Sequence, residues 1–306
     1  MSTVGTAALG AKVAINGVLL LDKPSGITSS TAVQKVRRLF DRAKAGHTGT
    51  LDPLATGLLP ICLGEATKFS HPILASRKSY VATMRLGWRS TTGDAEGVLA
   101  EAGETDFTDA ELAAAIQAFT GEIEQLPPMY SAVKVNGERL YKLARKGIVT
   151  ERNPRHVHIH HLEVVDRSAT DLSISVTCSK GTYIRVLAED LCDRLGCGAY
   201  LTTLRRVAIG SLQVADAMGL DGLENLTAED RVALLKPVDL LLTGLPKLTL
   251  GEADARRLCN GLVLPEAALQ PAAEIRVYSA EGCFLGLGEV RDDLSLRPKR
   301  LLSQVF

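Results

Sequence analysis

The first regular pattern in the chain is a short unbroken apolar run, Gly17-Val18-Leu19-Leu20-Leu21, which ends at Asp22-Lys23-Pro24 and reads as a buried strand. Val33, Val36 and Phe40 then recur at helical spacing, with polar Gln34, Lys35, Arg37 and Arg38 between them. Ser29 or Ser30 is placed to cap that helix. Side-chain character alternates over residues 80–88 as in a half-buried strand, and residues 91–97 read as a loop. Thr108-Asp109-Ala110-Glu111 is a capping-box pattern opening an amphipathic helix that stops near Gly121. Residues 156–166 and 172–179 predict a hairpin, 183–195 a helix ended by Gly196, and 200–209 a further strand. A leucine-rich, acidic helical stretch over 216–245 could connect two modules. Beyond it come a short helix containing Glu252, Arg256 and Leu258, with Gly261 as its C-cap, and strands around 275–278, 284–290 and 297–300. The sum is an α+β fold with a mainly antiparallel central sheet and flanking helices.

Composition narrows the class. A chain of 306 residues predicts two domains on a prior of about 150 residues each, and 46% hydrophobic residues can fill a substantial core. No apolar run approaches the roughly 18 residues needed to span a bilayer. Residues 1–10 lack the basic start and apolar core of a signal peptide, so a disordered lead-in over 1–14 and a cytoplasmic location are expected. Six cysteines without CxxC spacing fit reduced thiols, and Cys192 and Cys197 have no nearby histidine to make a zinc site. His156, His158 and His160 share one strand face, with no carboxylate or cysteine at ligand spacing; no metal is expected.

The formal net charge is zero, which by itself speaks against a nucleic-acid binder, but the charges are segregated. Nine acidic and no basic residues lie between Asp94 and Glu124. From 125 to 161 the balance reverses, with Lys134, Arg139, Lys142, Arg145, Lys146, Arg152 and Arg155 against Glu138 and Glu151. Such a block can grip phosphates locally, and the interleaved Tyr130 and Tyr141 favour RNA over a merely solvated face.

The candidate chemistry centres on Gly46-His47-Thr48-Gly49-Thr50-Leu51-Asp52-Pro53-Leu54-Ala55-Thr56-Gly57-Leu58-Leu59-Pro60. Pro53 biases Asp52 toward extended backbone, on a segment stiffened by glycine and proline. Alone, this is the composition of a turn. The whole string resembles the catalytic loop of the TruB family of tRNA pseudouridine synthases, with Asp52 at the family's essential aspartate. Four more blocks resemble that family in the same order: residues 17–26, Lys78-Ser79-Tyr80, Tyr130-Ser131-Ala132-Val133-Lys134 with Arg139-Leu140-Tyr141, and Ser179-Lys180-Gly181-Thr182-Tyr183-Ile184-Arg185. More weakly, residues 246–306 resemble a PUA domain, a small β-barrel-like RNA-binding module.

The resemblance implies a pseudouridine-synthase catalytic domain over 15–245, with an RNA-gripping thumb inserted at 128–156. It implies isomerisation of uridine 55 in the tRNA T loop by breaking the N1 glycosidic bond and rejoining through C5. Asp52, Tyr80 and Arg185 take the catalytic positions, with Arg185 as the carboxylate's partner and Tyr80 as the platform for the flipped base. His47, Lys23, Tyr183 and Leu204 take substrate-binding positions, and Lys134, Arg139, Lys142 and Arg145 belong to the thumb. No cofactor and no protein partner are implied; the expected partner is the T arm of tRNA, bound by a monomer. The reaction has no redox change, and the chain carries no phosphate-binding GxxxxGK[ST] loop. One carboxylate can attack C1′, add to C6, or remove the C2′ proton, and the residues leave those routes open. A glycoside hydrolase would need a second carboxylate, for which Glu65 and Asp22 are the candidates. A transglycosylase would need free base as a second substrate. The alternative from another class is a non-catalytic tRNA-binding or tRNA-folding protein.

Overall fold

The apolar run at the start of the chain forms β1 (Gly17–Lys23) and is followed by α1 (Ser29–Leu39) and β2 (Thr56–Leu63). Then come β3 (Lys78–Leu86), α2 (Asp109–Ala118), β4 (Gly121–Gln125), β5 (Arg155–Arg167), β6 (Asp171–Cys178), α3 (Ile184–Arg194) and β7 (Ala199–Ile209). The computed structural model describes residues 15–303 except 132, 136 and 266–268; the lead-in expected over 1–14 lies outside the described residues. No helix among them is long and apolar enough to cross a membrane.

The strands lie in the order β1-β2-β7-β3-β6-β5-β4, and the short strand Met218–Gly219 pairs parallel to the outer edge of β1. Every pairing along β1 to β4 is antiparallel except that of β2 with β7, where Arg205 lies opposite Thr56 and Arg206 opposite Gly57. The α+β reading with a mainly antiparallel sheet therefore holds. Alternation explains what each strand faces. In β1, Leu19 and Leu21 join the core beneath α1, α2 and α3, while Val18 and Leu20 join a second core on the opposite face. Burial on both faces requires the continuous apolar run. In β3, Tyr80, Ala82, Met84 and Leu86 point into the first core, whereas Ser79, Thr83 and Arg85 bond across the other face to Thr177, Ser173 and Asp171.

The capping box at Thr108 forms as expected, the Thr108 hydroxyl accepting from the Glu111 amide while Glu111 accepts from the Thr108 amide. The cap of α1 is one residue earlier than expected: Thr28 accepts from the Thr31 amide at 3.0 Å. The stretch over 216–245 breaks into the short helices Leu220–Glu224 and Ala228–Ala233 and the single turn Val238–Leu242.

The C-terminal segment forms β8 (Lys247–Leu250), α4 (Glu252–Cys259), β9 (Ala272–Ser279), β10 (Phe284–Val290) and β11 (Leu296–Leu301), in the sheet order β8-β9-β10-β11. The barrel-like closure expected here is not found: among the described residues the sheet is open. One face is covered by Ala255 and Leu258 of α4, and Phe284 and Leu287 of β10 enter the second core beneath β1 and β2. A sheet already covered in this way buries its apolar surface without closing on itself. Phe69 meets Phe284 edge-on at 5.4 Å, and Arg300 donates to the Lys68 carbonyl at 2.7 Å across the same junction.

Candidate active site

Asp52 sits on the loop between the short strand Ala45–His47 and β2, and its neighbours Leu51 and Ala55 are buried. Every turn of that loop is tied down. Ser29, freed from capping, uses its hydroxyl twice on Leu51, donating to the carbonyl at 2.9 Å and accepting from the amide at 2.8 Å. The Ala55 amide closes the turn on the Asp52 carbonyl at 3.1 Å, and the Gly26 amide donates to the Pro53 carbonyl at 2.9 Å. Lys23 is fully buried and donates to the carbonyls of Pro24, Ile27 and Pro53 at 2.8, 2.7 and 3.3 Å. Burial pushes its ammonium down to about 8, against the pull of the Asp52 carboxylate. Lys23 thus braces the loop from below and does not line the cavity.

Arg185, one residue into α3, is almost completely buried. Its Nε lies 3.0 Å from Asp52 Oδ2, a side-on contact rather than the two-toothed fork a free guanidinium offers. The fork is occupied elsewhere: one Nη donates to the Thr92 carbonyl at 2.6 Å and the other to the Tyr130 carbonyl at 2.8 Å. Asp94 approaches the same Nε at 3.7 Å from the loop after Ser90 and is itself held by the Thr92 hydroxyl at 2.6 Å and the Glu96 amide at 3.1 Å. An arginine fixed on both sides can present only one edge to Asp52, so the carboxylate is aimed while part of it stays open to solvent.

Between Asp52 and the start of α3 lies a cavity of about 280 Å³, near the lower end of the size usual for small-molecule pockets. Asp52, Tyr80, Tyr183, Arg185 and Leu204 line it together with Lys78, Ser131 and Arg206. Larger, shallower grooves lie elsewhere, as along Trp88, Glu104 and Asp106, without a paired carboxylate and guanidinium. Tyr80 and Leu204 are both nearly buried and come from adjacent strands, with Leu204 opposite Ala82 in the register. Arg206, opposite Tyr80, is fully buried and donates through Nε to the Leu58 carbonyl at 2.8 Å and through Nη2 to the Gly49 carbonyl at 3.1 Å. Burial pushes the Tyr80 phenol up, and the Arg206 charge opposes it. Tyr183 is fixed at its backbone by Gln125, whose side chain accepts from the Tyr183 amide at 3.0 Å and donates to its carbonyl at 3.2 Å.

His47 lies outside the cavity lining, half-buried at the end of Ala45–His47, with Nδ1 facing the Gly49 amide at 3.4 Å. Burial, and then the Arg206 charge, lower its pKa. Of the thumb candidates, Lys134, Lys142 and Arg145 are not part of the cavity lining. Lys134 pairs with Arg139 on the hairpin of Lys134–Val135 with Glu138–Arg139, and Lys142 and Arg145 follow on the helix Leu140–Arg145. Lys134, Lys142 and Arg145 are exposed, and the first two border a shallow concavity with Tyr141. Among the described residues no group of three or more His, Cys, Asp or Glu side chains could hold a metal ion. Asp94, Gln125 and Arg206 escaped the sequence reading. A single polar residue, in a loop as Asp94, at a strand end as Gln125 or inside β7 as Arg206, has no periodicity of its own to mark it, and each acts through a partner far away in the chain.

Comparison with known proteins gives matches along most of the chain. A family model described as TruB family pseudouridylate synthase, N-terminal domain, matches residues 37–184. Models described as tRNA pseudouridylate synthase B C-terminal domain and as pseudouridine synthase II TruB, C-terminal, match 185–243 and 246–302. The chain is 53% identical to the tRNA pseudouridine synthase B of Aromatoleum aromaticum, over 95% of this chain and 94% of the relative. It is 49% identical to that of Burkholderia mallei over 99% of each. Among solved structures, a Cbf5-Nop10-Gar1 complex contains a chain that matches at a TM-score of 0.69 and 25% identity, over 91% of this chain and 79% of that one. An H/ACA RNP bound to a substrate RNA containing 2′-deoxyuridine contains one that matches at 0.71 and 21%, over 94% and 85%.

Proposed function

Because the chain belongs to the TruB family of pseudouridylate synthases, we propose that it isomerises uridine 55 in the T loop of tRNA to pseudouridine, with Asp52 as the essential carboxylate. The observation that carries this reading is the Asp52 carboxylate, held by the buried Arg185 at 3.0 Å on the rim of a cavity lined by Tyr80 and Leu204. A uridine inside a folded loop must be extruded, at a cost of a few kcal/mol, and stacking on one aromatic ring recovers about 1–3 kcal/mol. Tyr80 supplies the ring and Leu204 the opposing apolar wall. With the base between them, the sugar lies toward Asp52. Attack on C1′, addition at C6 and removal of the C2′ proton all use that one aimed carboxylate. Detachment of N1 and rejoining through C5 conserve every atom but one proton, which leaves C5 and returns at N1. In this reading Tyr80 passes that proton on, its oxygen accepting one hydrogen as its own phenolic hydrogen is released.

His47, which lies outside the cavity lining, fills the place the base vacates, and Tyr183 lines the pocket. Lys134, Arg139, Lys142 and Arg145 hold phosphates of the T arm. Residues 15–245 form the catalytic unit, and residues 246–306 a second RNA-binding unit. The chain works in the cytoplasm as a monomer, with no protein partner and no cofactor.

The test is tritium release from a tRNA transcript labelled at C5 of uridine, comparing wild type with Asp52→Asn. Release by the wild type alone, mapped to one T-loop uridine, supports the reading. Tight tRNA binding without release favours a non-catalytic tRNA-folding protein, and release by both proteins removes Asp52 from its role.

A further inference from the structure

The side-chain groups buried in the cavity wall are almost all committed. Lys78 donates to the carbonyls of Leu74 and Ser76, Arg206 to those of Leu58 and Gly49, and Arg185 to those of Thr92 and Tyr130. Thr182 donates to the Ser179 carbonyl, and the Ser179 hydroxyl accepts from the His158 amide. Ser131 is different. It is 5% exposed and lines the cavity, and its hydroxyl has no hydrogen-bond partner among the described residues. A buried hydroxyl without a partner costs free energy, so it marks a position where a ligand atom completes the bond.

The backbone around Ser131 reaches both the thumb and the catalytic arginine. Its carbonyl accepts from the Tyr141 amide at 3.1 Å, in the helix Leu140–Arg145, and the Tyr130 carbonyl before it holds Arg185 at 2.8 Å. The hydroxyl is therefore carried by a dipeptide that links the basic surface, the guanidinium and the cavity. We infer that Ser131 is a specificity-determining residue whose hydroxyl donates to an exocyclic carbonyl oxygen of the uracil in the cavity. Uracil offers two such acceptors flanking its N3–H, and a hydroxyl can rotate to meet either one. The bond forms only after the base has entered, so it contributes to the committed complex and not to capture of the RNA.

This inference rests on the proposed uridine reading, and the test separates the two. Single-turnover isomerisation of a T-arm hairpin RNA is measured for wild type, Ser131→Ala and Ser131→Cys, with uridine, 2-thiouridine or 4-thiouridine at the target position. Ser131→Ala is expected to slow uridine about 10-fold, with less than about a 2-fold change in RNA dissociation constant, and Ser131→Cys to recover part of the rate. Sulfur accepts hydrogen bonds poorly, so one thio substitution slows the wild type but not Ser131→Ala, a non-additive cycle that identifies the contacted atom. An unchanged uridine rate in Ser131→Ala overturns the inference, as do losses that add independently with both thio analogues. A wild type inactive on uridine would instead overturn the reading of the function.

Discussion

At the level of single residues, the site is an arginine held from several sides that uses one edge to steer a carboxylate. Asp94 supplies the second anion beside Arg185. Replacing it by Asn leaves the two carbonyl contacts but removes the countercharge, and the single-turnover rate is expected to fall about 10- to 100-fold with RNA affinity retained. Unchanged turnover would show that the Thr92 and Tyr130 carbonyls suffice. Glu189, one turn along α3, is pushed up to about 7 by burial, with the nearby Arg185 charge opposing the shift. The native chain holds that proton between the ordinary glutamate range and pH 7, while the unfolded chain has released it. This group's contribution to stability therefore declines as pH rises through that window. Glu189→Gln should raise the melting temperature more at pH 8 than at pH 5; an equal gain at both would detach Glu189 from the effect. Asp52, Tyr80 and Arg185 were legible because each sits in a recognisable string. Asp94 was not, because its stretch reads only as a turn and its partner lies in a helix far along the chain. Ser29 misled for a related reason: serine before a helix looks like a cap, and only the folded loop reveals its two bonds to Leu51.

Among the elements, long alternating or continuous apolar segments were readable to within a few residues, as in β1, β3 and the hairpin of β5 and β6, because burial of one or both faces dictates their side-chain period. Strand order was not readable, since the meeting of β2 with β7 depends on tertiary packing. That contact has a strict local requirement. Gly57 has φ +101°, and a Cβ there would stand 2.2 Å from the Arg206 carbonyl oxygen. Gly57→Ala is expected to destabilise the fold by about 3 kcal/mol or more and to lower activity with it, as seen in urea unfolding beside the isomerisation assay. At the far end of the sheet, Thr108→Ala removes a cap remote from the cavity; it should cost about 1 kcal/mol in the same unfolding experiment and leave turnover unchanged.

Over the whole molecule, the second core joins the C-terminal sheet to the strands that carry the catalytic loop, through Phe69, Leu241, Leu242 and Leu287. Leu287→Ala, at a buried position of that junction, should cost about 2–5 kcal/mol, read as a lower midpoint in denaturant. If the two sheets unfold as one unit, the transition stays single. The expected barrel was misjudged because short strands and turns resemble one another in open and closed sheets, and the partner surface that covers β10 is invisible in its own sequence. The parallel meeting of β2 with β7 also has a consequence in time. A chain leaving the ribosome exposes Asp52 early, but its cavity lacks Arg185, Leu204 and Arg206 until β7 has emerged and slipped in beside β2. Since such distant closures form slowly, a nascent chain has a catalytic residue long before it has a catalyst.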